Sequence, residues 1–359
     1  MWHRMLVFRT TPNLAMGVDR CEPLHWILIY WLESVMRTLE IGRRRFLKQS
    51  CQVVLGTSAS LLSRESKAES VVPNSAGTDL PTLKAPRNAC DCHFHIYDAV
   101  RFPPPRGFSN PMQPNARVEE YKLLRRRLQT TRSVIVTPAT YVTDNRVTLN
   151  AIARLGPTAR GVAVVQPDVT DAELSTLQRG GIRGIRFSLN VSQAVTNPVT
   201  RFEMIEPLSK RVAELGWHIQ ISWSADGIAE NESLWNRLPS SIVFDHIGHI
   251  PQPAGVNHPA YSVMRRLIDK GRTWVKLSVT NDNSTDGPPT YNDVVRLGQA
   301  FVIAAPQRLV WGSNWPHPIE IQKPNDAVLF DLLTRWAPDK PTRQRLLVEN
   351  PAALYGFEQ

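Results

Sequence analysis

Residues 89–95 read ACDCHFH, a short run in which the two faces of an extended chain differ in character. The run predicts a β-strand, and side chains two positions apart on a strand share a face. We therefore expect His93 and His95 to point together into the interior of a barrel, with Asp91 below them. The opposite face, toward a layer of helices, is expected to carry Cys90, Cys92 and Phe94.

Seven more apolar, β-branched runs follow, and stretches with helical spacing separate them. Val118, Tyr121, Leu124 and Leu128 step by three and four, which is the spacing of one helix face. Short apolar strands that alternate with helices predict a parallel sheet covered by helices. The remaining strand candidates are residues 133–138, 161–167, 184–189, 218–223, 241–246, 273–279 and 308–313.

Eight such units in about 270 residues predict a (β/α)8 barrel, the TIM-barrel form of the α/β class. The alternative is an open doubly wound sheet, but no Gly-rich phosphate turn follows the first strand, and eight consecutive units favour closure. In such a barrel the groups that act on a substrate lie at the carboxyl ends of the strands.

Polar side chains follow several strands at that edge. Two imidazoles on the first strand can bind a metal, polarise a carbonyl or hold a carboxylate. His246 ends the sixth strand, and His249 lies three residues further on. Arg186, near the end of the fourth strand, is suited to bidentate contact with an anionic substrate, and a structural salt bridge is the alternative.

The turn after the eighth strand adds two more candidates. Its sequence from Trp311 to Pro318 is aromatic and proline-rich, and it presents Asn314 and His317 to the barrel mouth, whereas Trp311 and Trp315 are expected to pack in the core. Arg106 lies in the Pro-rich loop after the first strand and is a further candidate for substrate contact.

These motifs together resemble the amidohydrolase-related family (amidohydrolase 2), and within it the branch of 2-pyrone-4,6-dicarboxylate lactonase. The resemblance covers about residues 85–359 and is carried by a His-x-His, by Asp245-His246-Ile247-Gly248 and by the turn that starts at Trp311. It implies a (β/α)8 barrel and the hydrolysis of a lactone or other cyclic ester. In that family an aspartate after strand eight activates water, and the histidines polarise the carbonyl.

Asn314 stands where the resemblance places that aspartate. An amide does not accept a proton near neutral pH, so Asn314 is expected to orient water, with His246, His93 or His317 accepting the proton. The alternative is an exported barrel that binds a ligand without turning it over.

The substrate pocket also departs from the family. Only Arg186 matches an arginine that the resemblance assigns to the dicarboxylate; Asn190-Val191-Ser192 and His249 replace two others. We therefore expect a small, mono-anionic or sugar-derived lactone.

No metal is expected, because strand five ends Ile221-Ser222-Trp223 without a histidine and Asn314 replaces a carboxylate. Zinc or another divalent ion is the alternative, held by His93, His95 and His246 with one open position. That site would make the chain a metal-dependent hydrolase or decarboxylase of the same superfamily.

Composition narrows the class of partner. The chain of 359 residues is 42% hydrophobic and 21% charged, with a net charge of +10, half of it within residues 1–89. No basic stripe with interleaved aromatics indicates nucleic acid, and no run of about 18 apolar residues indicates a membrane span. The four cysteines do not suggest a disulfide framework, and nothing in the sequence indicates an oligomeric state.

The first 88 residues have the pattern of a targeting segment with a linker and are not predicted to be part of the barrel. Residues 42–50, GRRRFLKQS, resemble a twin-arginine export signal, and a short apolar stretch and Ser66-Lys67-Ala68 follow. We predict an upstream extension at 1–35, a signal segment at 36–68, a linker at 69–88 and the catalytic barrel at 89–359. The periplasm is the predicted location.

Overall fold

The computed structural model describes residues 71–106, 115–189 and 200–358. Its eight strands fall where the apolar runs predicted them: the fourth is one residue longer than its run, and the other seven are one to three residues shorter. They are β1 (Cys90–Phe94), β2 (Arg132–Val136), β3 (Ala159–Ala163), β4 (Ile182–Ser188), β5 (His218–Ser222), β6 (Ser241–Phe244), β7 (Thr273–Leu277) and β8 (Leu309–Trp311).

Helices connect consecutive strands, as the alternation of patterns predicted. In the described residues they are α1 (Val118–Leu128), α2 (Arg146–Leu155), α3 (Asp171–Arg179), α4 (Ile205–Ala213), α5 (Ala225–Glu230), α6 (Glu232–Arg237), α7 (Pro259–Asp269), α8 (Thr280–Asn283), α9 (Asn292–Ala304), α10 (Asp326–Asp331), α11 (Leu333–Trp336), α12 (Lys340–Gln344) and α13 (Asn350–Tyr355). None of these helices has both the length and the apolar character that crossing a membrane requires.

The sheet is parallel throughout and runs in sequence order from β1 to β8. The turn after β8 joins the two ends of the sheet: the Asn314 amide donates to the His93 carbonyl at 2.7 Å, and the His95 amide donates to the Trp315 carbonyl at 2.8 Å. The (β/α)8 barrel predicted from the sequence is confirmed, and its closing seam runs through the segment that carries the site.

The first strand departs from simple alternation. Its pairing with β2 shifts register between Asp91 and Phe94, which marks a bulge. Cys90 and Cys92 pack with Val134 and other inner strand residues, in a small cluster separate from the main core between sheet and helices. Our prediction for these two cysteines was therefore wrong, since they face the barrel interior.

Asp91 was also expected inside the barrel and lies elsewhere. Its carboxylate accepts hydrogen bonds from the Ser313 amide and hydroxyl at 2.9 and 2.7 Å and from the Tyr121 hydroxyl of α1 at 3.3 Å. Phe94 stacks on the same Tyr121 ring, as expected for the helix-facing side. The bulge lets His93 and His95 point inward although Asp91 points outward.

The segment before β1 packs on the barrel. We expected a linker at 69–88, yet Val72 is buried, Pro73 accepts a hydrogen bond from the Trp315 indole at 2.7 Å, and the Ala76 amide donates to the Pro324 carbonyl at 2.9 Å. We call residues 71–83 the strap. The predicted signal segment and the extension before it lie outside the described residues.

Candidate active site

Four imidazoles meet at the carboxyl edge of the barrel. Nε2 of His93 and Nε2 of His95 are 3.3 Å apart, and the prediction that these side chains share a face is confirmed. The His246 ring centre lies 4.7 Å from that of His93 and 5.0 Å from that of His249. The structure thus brings together four of the five histidines that the sequence placed at this edge; the fifth is His317.

The turn after β6 aims the second pair of imidazoles. His246, Ile247, Gly248 and His249 have positive φ values between 49° and 66°, so the chain turns sharply as it leaves the strand. Gly248 suits this turn because its φ of 66° is one that other residues rarely adopt, and a Cβ there would lie 2.6 Å from the Met264 methyl group. Nδ1 of His246 is 2.8 Å from the Ser278 hydroxyl, and Nε2 of His249 is 3.3 Å from the Ser222 hydroxyl.

A buried charged network lies directly beneath the imidazoles. Asp245 Oδ2 accepts from Arg186 Nε and from Gln220 Nε2, each at 3.0 Å. Lys276 Nζ donates to Gln220 Oε1 at 2.6 Å and lies 3.3 Å from His93 Nδ1 and 3.6 Å from Asp245 Oδ1. These contacts link the ends of β1, β4, β5, β6 and β7.

Sequence reasoning missed Gln220 and Lys276 and gave Asp245 no role. A signal was present, because each polar side chain interrupts or directly follows an apolar strand. Gln220 lies two residues before the end of β5, Lys276 one residue before the end of β7, and Asp245 directly after β6. Lys276, in the run TWVKLSV, is fully buried, and a lysine is almost never so unless it is paired.

Burial keeps the imidazoles neutral. It lowers the pKa of His93 to about 3, with the nearby Lys276 charge acting in the same direction. Burial likewise lowers the pKa of His95 and of His246 well below the usual value, and that of His249 to about 4. Burial opposes ionisation of Asp245, yet contacts with His93, Lys276 and Arg186 hold its pKa well below the usual range.

Arg186 forms a structural ion pair and also has hydrogen-bond donors that can bind an anion. Its Nε binds Asp245 and its side chain is 9% exposed. Its two terminal nitrogens donate no hydrogen bond to any residue that the structure describes. The guanidinium is therefore held at one end and keeps free donors at the other.

Asn314 sits against the first strand. Its backbone has a φ of 63°, and the hydrogen bond from its backbone N–H to the His93 carbonyl holds it beside the imidazoles. The preceding Gly312 allows this approach, because a Cβ there would lie 2.6 Å from the His93 Cβ. The side-chain amide makes no hydrogen bond within the described part of the chain and remains available to water or substrate.

The other two predicted substrate contacts fall outside this cluster. His317 is fully buried and its Nε2 lies 3.1 Å from Asp326 Oδ1, which raises the pKa of the imidazole against the effect of burial. It is therefore held by Asp326 and not grouped with the four imidazoles, and its contact with substrate stays a prediction. Arg106 is exposed on the loop after β1, next to residues that the structure does not describe.

The spacing of the nitrogen and oxygen donors fits a metal ion, but the charges around them do not. Nitrogens about 2.0–2.1 Å from a tetrahedral zinc lie about 3.3–3.4 Å apart, close to the 3.3 Å between the His93 and His95 Nε2 atoms. His93, Asp245 and His246 also have ligand atoms within 4.8 Å of one another. Asp245 Oδ2, however, accepts from Arg186 and Gln220, and Oδ1 lies 3.6 Å from Lys276 Nζ. The positive charges of Arg186 and Lys276 oppose a dication.

The fold and this cluster define a class: a (β/α)8-barrel enzyme with an imidazole-lined centre at the carboxyl edge. The profile of the amidohydrolase family matches residues 90–357, so the chain belongs to that family.

Relatives of stated activity cover most of the chain. A 2-pyrone-4,6-dicarboxylate hydrolase from Comamonas testosteroni is 32% identical over 79% of this chain and 95% of its own. A 4-sulfomuconolactone hydrolase from Rhizobium radiobacter is 32% identical over 76% of this chain and 91% of its own. A crystal structure from Agrobacterium tumefaciens superposes with a TM-score of 0.71 and 27% identity, covering 79% of this chain and 99% of that one.

Proposed function

We propose that this protein hydrolyses a small anionic lactone or cyclic ester without a metal cofactor. The observation that carries the proposal is the convergence of His93, His95 and His246 beside the free end of Arg186. The names of the two relatives support the same reaction class, since both describe hydrolases of small cyclic substrates.

Hydrogen-bond directions assign roles to two imidazoles. Nδ1 of His95 lies 2.8 Å from the Val136 carbonyl, which can only accept, so Nδ1 carries the proton and Nε2 has a lone pair. His93 Nε2, 3.3 Å away, is then the donor. We assign His93 Nε2–H to the substrate carbonyl and His95 Nε2 to the water proton, with Arg186 on the substrate's negative charge.

The reaction then balances without another reagent. The oxygen of water bonds to the lactone carbonyl carbon as its proton moves to His95 Nε2. The tetrahedral intermediate collapses with cleavage of the ring C–O bond, and His95 returns the proton to the departing oxygen. The product is the open hydroxy acid, which ionises and releases the acid equivalent that an assay can follow.

The test is acid release from a panel of neutral, mono-anionic and di-anionic lactones. We expect turnover of at least one anionic lactone, and a loss of about 10²-fold or more in His95→Ala because the proton acceptor is gone. His258→Asn is the matched control: it alters a histidine that caps α7 and is expected to leave the rate unchanged.

Two outcomes count against the proposal. Binding of lactones without acid release supports the non-catalytic barrel. Turnover that depends on stoichiometric zinc or manganese supports the metal-dependent hydrolase or decarboxylase, and metal content is therefore measured on every sample.

We also propose that residues 36–68 direct export to the periplasm by the twin-arginine route. The supporting observation is the Arg43-Arg44 pair ahead of a short apolar stretch. Cell fractionation of the full chain and of a variant with both arginines changed to lysine tests this: we expect export only of the unaltered chain. Equal distribution of the two would contradict it.

A further inference from the structure

Lys276 is a buried cation that the proposed reaction leaves without a direct part. Its side chain has no exposed surface, and its ammonium group lies between His93 and Gln220, with Asp245 beside it. Burying a lysine in a barrel interior costs free energy unless its ammonium group is hydrogen-bonded or paired with an opposite charge. What this lysine does to the imidazole next to it follows from the directions of the surrounding bonds.

The directions form one chain of donors. Gln220 presents Oε1 to Lys276 and Nε2 to Asp245, which is the orientation that a lysine donor and a carboxylate acceptor both require. Lys276 Nζ carries only donors, so its contact with His93 Nδ1 at 3.3 Å is a hydrogen bond only when that nitrogen accepts, and we infer this arrangement. The His93 proton is then on Nε2, facing the lone pair that the Val136 carbonyl imposes on His95 Nε2.

A metal ion needs the opposite arrangement. A histidine ligand presents a lone pair to the metal and commonly donates its other ring N–H to a carboxylate. That carboxylate is present: Asp245 Oδ1 lies 3.3 Å from His93 Nδ1 and accepts no hydrogen bond from a described residue. The Lys276 ammonium instead lies 3.3 Å from His93 Nδ1, where it acts as a donor, and it adds a positive charge beside these ligand atoms.

We propose that Lys276 keeps this site free of divalent cations by holding His93 with Nε2 as a donor. The remaining parts of a zinc site, two imidazoles at ligand spacing with a third beside them and a carboxylate behind, are in place. The inference concerns metal exclusion and stands whatever substrate the enzyme takes.

Replacing the ammonium with an apolar group of similar length removes the block. In Lys276→Met, His93 Nδ1 can donate to Asp245, and its Nε2 lone pair then faces that of His95 across 3.3 Å. Zinc between them, with His246 as third ligand, satisfies both lone pairs. Lys276→Arg is the matched control, since it keeps a donor and a positive charge.

The experiment is zinc content after incubation with zinc and exhaustive dialysis, with calorimetric titration of zinc into folded protein. We expect under about 0.1 zinc per chain for the unaltered protein and Lys276→Arg. For Lys276→Met we expect about one, bound at least about 100-fold more tightly, with binding lost when His95→Phe is added. Equal zinc affinity in the unaltered protein and Lys276→Met would overturn the proposal, as would a folded Lys276→Met that binds none.

A second measurement does not depend on the variant's folding. Imidazole ¹⁵N spectra of the unaltered, metal-free protein report which ring nitrogen carries the proton. We expect the Nε2–H form for His93 and the Nδ1–H form for His95. Observation of His93 in the Nδ1–H form would contradict the role of Lys276 directly.

Discussion

Asn314 stands where the resemblance places an aspartate, and its side chain is an amide and not a carboxylate. The backbone bond to the His93 carbonyl holds it at the imidazole cluster, yet its amide has no basic site. In the reaction that we propose, neutral imidazoles take the role that the resemblance assigns to a carboxylate.

Asn314→Asp is expected to raise kcat by about 10²-fold, since a positioned general base contributes about 10²–10⁴-fold. Asn314→Ala is expected to lower kcat by about tenfold, because the amide no longer orients water. Initial rates of acid release from the best lactone of the panel measure both. If the aspartate variant is no faster and the alanine variant is unchanged, Asn314 lies outside the chemistry.

His317 makes a prediction about stability and not about catalysis. Its contact with Asp326 raises the pKa of the folded imidazole above 6.5. A raised folded-state pKa stabilises the fold fully below the unfolded value, and this stabilisation is lost as the pH rises through the folded value.

We therefore expect His317→Gln to lower the free energy of unfolding by about 1–3 kcal/mol at pH 6 and by less at pH 9. Urea unfolding of both proteins at the two pH values measures the difference. A loss that is equal or greater at pH 9 would show that the ionised pair is unimportant.

At the scale of elements, the strap and α1 depend on one buried arginine. Arg127 donates to the carbonyls of Asp79 and Ala76 at 2.8 and 3.1 Å, to the Ser75 hydroxyl at 3.2 Å and to Asn325 Oδ1 at 2.9 Å. One guanidinium thus joins the strap, α1 and the start of α10. The strap in turn holds the Trp315 indole, one residue from Asn314.

Arg127→Met is expected to destabilise the protein by about 2–4 kcal/mol, because it leaves buried acceptors without a donor. Arg126→Met changes an exposed arginine of the same helix and is expected to stay within about 0.5 kcal/mol. Urea unfolding compares the two. Similar losses for both variants would mean that the strap adds little to stability.

At the scale of the whole molecule, the seam between β8 and β1 both closes the barrel and carries part of the candidate site. The same turn supplies Asn314, closes the sheet through two backbone hydrogen bonds, and receives the strap. Gly312 and the β1 bulge allow the two chain segments to approach closely enough for this. The site is therefore built on a seam that backbone hydrogen bonds hold together and not on a free loop.

The sequence by itself determined the number and order of the strands and the edge at which the histidines gather. Those features follow from periodicities of two and of three to four residues, which are local. The arrangement of the buried network was decided only by tertiary structure, because 183 residues separate His93 from Lys276. Which way Asp91 and the two barrel cysteines face depended likewise on a register shift against β2, and the packing of the strap depended on an arginine in a later helix. Contacts of that range set side-chain directions and proton positions, and no local spacing encodes them.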